Sequence, residues 1–487
     1  MTGTVIFFMR TTTTLKNNLL YLRIANTIEH QVNHDVLKVG DKLPSLRTIC
    51  TEQGVSMSTA TQAYLELEKK GLIESRPQSG YYVCYSYRKF PAIPATSKPG
   101  DKESTEESGE LITKVFSELA DKQTLMLSLG VPAAELLPVS KLNKAILKAT
   151  RTLPQSGTGY EELQGNARLR RQVARGSFTW QGRLGEDDIV TTAGCINAIA
   201  YCLMALTEKG DTIAVESPVY FGILRLAQSL GLRILELPTH PQTGIELAAL
   251  ENAFKNNTVK LCILVSNFSN PLGSCMPTEH KKEAVRLAEK YNVPIIEDDL
   301  YADVYFGNHR PLSCKTFDES GIVLWCSSVS KTLAPGYRVG WVAPGKFKEQ
   351  VRRLKLYHNI STATITQEVI GDFLENGRYD HHLRKLRQTL CANSLQYIRA
   401  VSEYFPPGTK VSRPQGGFML WIELDKNVNT TDLYDAAIRQ KISIAPGMMF
   451  TLRQQYQHCM RLSYGMPWNG RVEGALKQLG KLIKVCL

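Results

Sequence analysis

Apolar residues recur at helical spacing over 17–34, where Tyr21, Ile24, Ile28 and Val32 share one face, so the spacing predicts an amphipathic helix. Gly40 and Asp41 break the pattern. Pro44 then opens a second predicted helix, 44–52, at a position where its missing N–H does no harm, and Gly54 stops it. Ser56 caps a third over 58–70, with Gly71 at its end and Ala60, Ala63, Tyr64 and Leu67 toward the core. Short apolar runs at 72–75 and 81–84 flank Pro77-Gln78-Ser79-Gly80, which reads as a hairpin. Two short helices, a tight turn and a hairpin describe a winged helix-turn-helix. In such a module the second helix of the pair enters the major groove of DNA.

The pattern changes over 86–110, where Pro91, Pro94, Pro99 and Gly100 precede a charged, Ser-rich tail with few large apolar residues. That composition predicts a flexible tether. From Leu125 onward helices alternate with apolar strands, placed at 188–192, 212–216, 233–237, 261–266, 293–297, 322–326 and 339–343. Such alternation predicts an α/β class with a mostly parallel sheet. The predicted division is a winged helix-turn-helix over 15–85, a linker over 86–124, a large domain over 125–350 and a smaller α+β subdomain over 351–487 that takes in the start of the domain. Residues 1 to about 14 read as a disordered leader, and the start at Met1 or Met9 stays open.

Composition narrows the class. A chain of 487 residues is too long for one ordinary core. Hydrophobic content of 43% and charged content of 21% are globular values. The net charge of +12 favours an anionic partner such as nucleic acid, although basic and acidic side chains nearly balance over 1–85. Eleven cysteines without a Cys-x-x-Cys pair, several in apolar runs like Cys262 and Cys326, read as buried thiols of a reducing, cytoplasmic compartment, with neither disulfides nor a metal site. No run reaches membrane-spanning length.

The candidate chemistry centres on Lys331, which follows an apolar strand pattern and so is poorly placed for hydration. Lysine condenses with aldehyde cofactors once burial or neighbouring charge lowers its pKa. Ser328 and Ser330 before it and Arg338 after it are suited to hold a phosphate. Ala193-Gly194-Cys195 ends one strand and starts a helix, and N–H groups at a helix N-terminus make an anion cradle that a glycine leaves open. Glu297-Asp298-Asp299 ends another strand with three adjacent acids, an expensive cluster unless a cation shares it. A protonated pyridine nitrogen is such a cation.

Ser328-Val329-Ser330-Lys331 with Pro335-Gly336-Tyr337-Arg338-Val339-Gly340 resembles the signature of fold-type I aminotransferases, which bind pyridoxal 5'-phosphate (PLP). The resemblance implies that Lys331 carries the cofactor, that Asp298 pairs with its ring nitrogen, and that Asn270 (in Asn270-Pro271-Leu272-Gly273) and Tyr301 address its phenolic oxygen. It also implies that Tyr220 stacks on the ring, that Ala193, Gly194, Cys195, Ser328, Ser330 and Arg338 hold the phosphate, and that Arg461 grips a substrate carboxylate. Tyr160 matches the tyrosine that reaches the phosphate of a neighbouring subunit's cofactor, which implies a homodimer.

The first segment resembles the GntR-type DNA-binding domain through Leu43-Pro44-Ser45-x-Arg47, Gly54-Val55-Ser56, Ala63-Tyr64-x-x-Leu67, Gly71-Leu72-Ile73 and Ser79-Gly80-Tyr81-Tyr82-Val83. By that resemblance Arg47, Ser56, Ser58, Thr59 and the Gly80 turn contact double-stranded DNA. Met57 departs from the arginine usual in the family. A thioether cannot make a bidentate contact to guanine, so the operator differs at that step, or Met57 makes only apolar contact, for example to a thymine methyl. The two modules together resemble the MocR subfamily of regulators. The resemblance implies a PLP-dependent transcriptional regulator that senses PLP or a small amino compound, with a working aminotransferase as the alternative.

Overall fold

The structure is a computed structural model that describes residues 19–34, 36–38, 40–76, 79–83, 91–100, 107–118, 121–256, 259–307 and 309–487. The leader, Pro77 and Gln78 of the expected turn, and Cys84 of the expected second strand lie outside the described residues. The chain divides into two compact units, Met1–Phe90 and Pro91–Leu487.

The smaller unit contains helices Leu20–Asn33, Leu46–Gln53 and Met57–Lys69, then antiparallel strands Ile73–Arg76 and Gly80–Val83. Ile24, Ile28, Val32, Ala60, Ala63, Tyr64 and Leu67 are all buried in one core with Ile73 and Val83, as the spacing predicts. The caps sharpen the boundaries. Ser45 Oγ accepts from Thr48 N–H at 3.1 Å, so the second helix starts after Pro44, whose carbonyl instead accepts from the Tyr64 hydroxyl at 2.8 Å. Ser56 Oγ accepts from Thr59 N–H at 3.2 Å and so makes Met57 the first residue of the third helix.

The larger unit is built on an eight-stranded sheet in the order Val190–Thr192, Gly340–Ala343, Val323–Ser328, Ile295–Asp298, Leu261–Leu264, Thr212–Ser217, Arg233–His240, Gly244–Ile245. The central strands run parallel. Gly340–Ala343 is antiparallel to both of its neighbours, and Gly244–Ile245 is antiparallel to Arg233–His240. Leu261–Leu264, Ile295–Asp298 and Val323–Ser328 are buried throughout, which explains their unbroken apolar runs. A second sheet orders Lys410–Val411, Met419–Glu423, Cys459–Ser463 and Ala445–Pro446.

Two expectations of domain organisation differ from the structure. Where a flexible tether is expected over 86–124, residues 91–100 instead lie along the larger unit. Val411 N–H donates to the Ala92 carbonyl at 2.9 Å, and Arg413 Nη2 donates to the Pro91 carbonyl at 2.8 Å. Ser97 Oγ accepts from Thr239 N–H at 2.8 Å and donates to the Ser217 carbonyl at 2.5 Å. Prolines hold such a segment extended, and its backbone groups find partners on the neighbouring fold. Glu107–Ser117 is a helix whose Leu111 and Val115, four residues apart, are both buried. The second difference concerns the boundary at 350. Helices Lys348–Asn359 and Thr364–Glu375 pack on Cys195–Leu206 and Ala167–Gly176 beside the large sheet, so the C-terminal layer begins with the long helix Arg378–Tyr404. Leu125–Met126 pairs with Ile442–Ser443, which ties the start of the domain to its last part.

Candidate functional site

The strand ends of the large sheet open into a cleft lined by Cys195, Tyr220, Asn270, Asp298, Tyr301, Ser328, Ser330, Lys331 and Arg338. Residues far apart in sequence meet here because parallel strands all direct their carboxyl ends to one edge.

Lys331 sits just beyond Val323–Ser328 and donates from Nζ to the Gly130 carbonyl. Its amine is pushed down to about 8, first by burial, then by the guanidinium groups of Arg461 and Arg338, with Asp298 opposing. Asp298 ends Ile295–Asp298, is buried, and accepts from the Cys195 thiol at 3.2 Å. Its carboxyl is pushed up to about 6, chiefly by burial, with the charge of Asp299 adding to the rise while the Cys195 thiol and Lys331 oppose it.

The three-acid cluster resolves residue by residue. Glu297 accepts from the Ser266 hydroxyl at 2.5 Å and from the N–H groups of Cys314 at 2.7 Å and Lys315 at 3.0 Å. Asp299 is held by Arg310 at 2.6 Å. Asp298 has no ion pair among the described residues and is the one acid of the three that lines the cleft. The open request for a cation therefore belongs to Asp298.

Arg461, in the middle of Cys459–Ser463, is 2% exposed and has no acid partner among the described residues. Nη1 donates to Asn270 Oδ1 at 2.8 Å, Nη2 donates to the Ser128 carbonyl, and the guanidinium lies 5.0 Å over the Phe450 ring. Nε is buried without an acceptor, and burial lowers the group to about 10. This is not the surface ion pair that a lone arginine on a strand usually makes. Asn270 Nδ2 in turn donates to the Tyr301 hydroxyl at 3.5 Å, and burial pushes that phenol up.

The anion end is built from a helix start and a strained arginine. Gly194 precedes helix Cys195–Leu206 and offers no side-chain cap, so the first-turn N–H groups have no capping acceptor. Gly194 has φ +91°, and a Cβ there would lie 2.3 Å from Arg338 Nη2. Arg338 itself has φ +51°, a costly conformation for a non-glycine residue. Its Nη1 donates to Ser330 Oγ at 3.3 Å and its Nη2 to the Ala193 carbonyl at 3.0 Å, and it has no acid partner among the described residues. Ser328 Oγ accepts from Ser330 N–H at 3.1 Å. Ala193 N–H is occupied by Asn197 Oδ1 at 3.0 Å, so Ala193 serves here through its carbonyl.

Tyr160 stands apart from these residues, 86% exposed. The exposed candidates of the smaller unit gather at the start of Met57–Lys69: Ser56, Met57 and Ser58 are exposed and Thr59 half-buried. Arg47 is exposed on the preceding helix, and Gly80, at φ +105°, opens the second strand.

Sequence reasoning missed the carbonyls of Ser128 and Gly130, which anchor Arg461 and Lys331 from about 200 or more residues away. Backbone acceptors carry no side-chain signal. It also missed Gly222, where a Cβ would lie 2.3 Å from the Tyr220 ring; a glycine two residues after a candidate stacking aromatic was the available clue.

Comparison with known proteins gives two family matches. The model described as "Aminotransferase class I and II" matches residues 124–474, and "Bacterial regulatory proteins, gntR family" matches residues 20–83. The chain is 37% identical over 468 residues to the HTH-type transcriptional regulator YdcR of Escherichia coli (strain K12), covering 95% of this chain and 99% of that one. It is 34% identical over 463 residues to YjiR of the same organism, also an HTH-type transcriptional regulator, covering 95% and 98%. Among solved structures, the multiple substrate aminotransferase of Thermococcus profundus superposes with a TM-score of 0.71 at 24% identity, covering 78% of this chain and 97% of that one, which speaks to fold alone.

Proposed function

The chain belongs to the MocR type of HTH transcriptional regulators, a GntR-family domain joined to a class I and II aminotransferase domain, and from that premise we propose that its larger unit binds PLP and an amino compound and so sets the affinity of its smaller unit for an operator. The observation that carries this reading is one of charge. A buried aspartate without a cation and a lysine of lowered pKa share a cleft, and Arg338 and Arg461 beside them have no acid partners among the described residues. PLP brings the complementary charges: a dianionic phosphate, a basic ring nitrogen and an aldehyde.

When bound, the cofactor supplies an electrophilic carbon and an electron-withdrawing ring. The rest falls to the chain's own residues. Lys331 offers its nitrogen in the neutral form more readily than an ordinary lysine. Asp298 holds a proton on the ring nitrogen. Asn270 and Tyr301 hydrogen-bond the phenolic oxygen, and Tyr220 covers the ring face. Arg338, Ser328, Ser330 and the start of Cys195–Leu206 hold the phosphate, and Arg461 orients a carboxylate on the incoming amine. The segment through Ser97 supports a coupling role, because its hydroxyl bonds the carbonyl of Ser217, three residues before Tyr220. A ligand that moves the Tyr220 wall bears directly on the segment that leads back toward the DNA-reading unit.

The test is a visible absorbance titration of the purified chain with PLP, run beside DNA-footprinting with and without candidate amines. Protein that stays colourless, or footprints that no amine alters, would refute the reading. A working aminotransferase is the second reading, favoured by the buried Arg461, which suits a substrate carboxylate as well as an effector's. Single-turnover spectra that return to the starting state with every amino acid would remove it.

The same reading includes a homodimer. Tyr160 is 86%, Leu147 58%, Tyr357 68% and Ile360 53% exposed, and Thr364 Oγ1 donates to the Gly159 carbonyl at 3.1 Å, which sets the Tyr160 loop beside the Ile360 turn. Apolar surface of this kind supports a self-association face. Light scattering that returned a monomer mass at micromolar concentration would exclude it.

A further inference from the structure

Lys331 lines the cleft, while Thr332, the residue after it, is buried against helix Arg378–Tyr404. The turn that carries both is loosely specified by its own backbone. The Val329 carbonyl accepts from the N–H groups of Thr332, Leu333 and Ala334, at 3.3, 2.9 and 3.1 Å. A carbonyl has two lone pairs, so three donors share it imperfectly.

The helix grips this turn from behind with two side chains. His382 Nε2 lies 2.6 Å from the Thr332 carbonyl. A carbonyl only accepts, so this nitrogen carries the proton. The Tyr379 hydroxyl lies 2.8 Å from Thr332 Oγ1 and 3.1 Å from Asp303 Oδ2. A carboxylate only accepts and a hydroxyl has one proton, so Tyr379 donates to Asp303 and accepts from the Thr332 hydroxyl. Asp303 is itself fixed. Arg310 Nε donates to its Oδ1 at 2.8 Å, and Arg387 Nε, farther along the helix, donates to its carbonyl at 2.7 Å. Asp303 follows closely on Tyr301, so one phenol ties the turn of Lys331 to the turn of Tyr301.

Lysine is a long, flexible side chain, and its nitrogen is placed only as well as its backbone is held. Misplacing a reacting group by about 1 Å can cost about a hundredfold. We propose, on the reading that PLP joins Lys331, that Tyr379 and His382 are positioning residues: acting through Thr332, they hold the backbone so that Lys331 Nζ meets the aldehyde carbon. Neither side chain lines the cleft, so neither has a direct contact with the cofactor to lose.

The test measures PLP dissociation constants of the full chain by quenching of tryptophan fluorescence, with Lys331 present and in the Lys331→Ala background. Tyr379→Phe and His382→Leu each remove one grip. Each should weaken PLP about tenfold where Lys331 is present and less than about twofold where it is absent. Equal losses in both backgrounds would make the two residues merely structural and overturn the proposal, as would no loss in either. Thr332→Val reaches the same hydrogen bond from its other end. It should match Tyr379→Phe, and the two together should cost no more than one alone. Simple additivity would place the action of Tyr379 elsewhere and overturn its assignment. His382→Gln, which keeps an N–H donor, should recover most of what His382→Leu loses. Should His382→Leu fail to fold, Tyr379→Phe, which removes a single oxygen, and Thr332→Val still decide the matter. An unsubstituted chain that takes up no PLP sinks the reading underneath, whereas uptake indifferent to Tyr379 and His382 sinks this inference alone.

Discussion

In the smaller unit the candidate reading residues stand in solvent: Met57 is 47% exposed and Ser56 and Ser58 are exposed at its side. In the larger unit Asp298, Tyr301 and Arg461 are each no more than 5% exposed. An exposed reader costs folding nothing and can change residue by residue. A buried polar site pays desolvation in the free protein and recovers it only when a ligand of complementary charge arrives. Ligand and pH should therefore move the stability of the larger unit strongly, and substitutions at the reading helix should move specificity and leave stability alone.

The largest effect expected is at Lys331. PLP at about a thousand times its dissociation constant should stabilise the larger unit by about 4 kcal/mol. Lys331→Ala should abolish the visible absorbance and most of that gain. Calorimetry that shows two transitions should find only the larger unit's shifted. An equal shift of both would break the contrast between the units.

Next comes Glu216, a carboxyl pushed up to about 8 by burial, with Oε2 accepting from Val265 N–H at 2.7 Å and Oε1 without a partner. A raised acid holds its proton in the native state and releases it on unfolding. Its contribution is therefore fully present below about pH 4.5 and is lost as pH rises through about 8. Asp298 acts in the same sense but is exhausted above about 6, whereas Lys355, lowered to about 7, and Lys331, lowered to about 8, act in the opposite sense, so Glu216 is read in the window from 6 to 8 as the difference between the unsubstituted protein and Glu216→Gln. Glu216→Gln should flatten the fall in that window and stabilise the PLP-free protein at pH 8 by about 3 kcal/mol, checked by denaturant melts at pH 6 and 8. An unchanged slope would mean that the acid ionises at no cost.

Ser97→Ala should cost about 1 kcal/mol, because Thr239 N–H loses its acceptor and the Ser217 carbonyl its donor. The more telling readout is fluorescence anisotropy on operator DNA. Binding with no ligand present should change little, while the change that an amine produces should shrink.

These cases show where the sequence was legible. Helices of the smaller unit follow from spacing and caps, and the large sheet follows from apolar runs, because both are local signals. Lys331, Asp298 and Asn270 are legible as motifs because their neighbours are fixed by the same turns. The segment over 91–100 was not, since proline-rich composition is the same for a free tether and for an extended strap, and the difference lies in Val411, Thr239 and Ser217 far along the chain. Nor was the unpaired state of Arg461, because an acid partner or its absence is a fact of tertiary packing.

Met57 offers the finest test of the contrast. It is the first residue of Met57–Lys69, just after the Ser56 cap, and its side chain contributes nothing to the core formed by Ala60, Ala63, Tyr64 and Leu67. Met57→Arg should therefore leave the smaller unit's melting unchanged to within about 0.5 kcal/mol. It should nonetheless redirect recognition. A thioether has no donor to offer a base edge and gains most against a thymine methyl, whereas a guanidinium can grip O6 and N7 of guanine together, a difference of about 1–3 kcal/mol for one base pair. Selection of bound sequences with both proteins should show one position per half-site moving from an A·T to a G·C pair, with flanking positions preserved. If the preferred sequence is the same for both, Met57 lies off the groove and the reading edge of the helix has been placed a turn too early. If the preference moves but the melting falls as well, the exposed reader is bound up with the fold after all, and the separation between a costless surface and a costly interior does not hold for this chain.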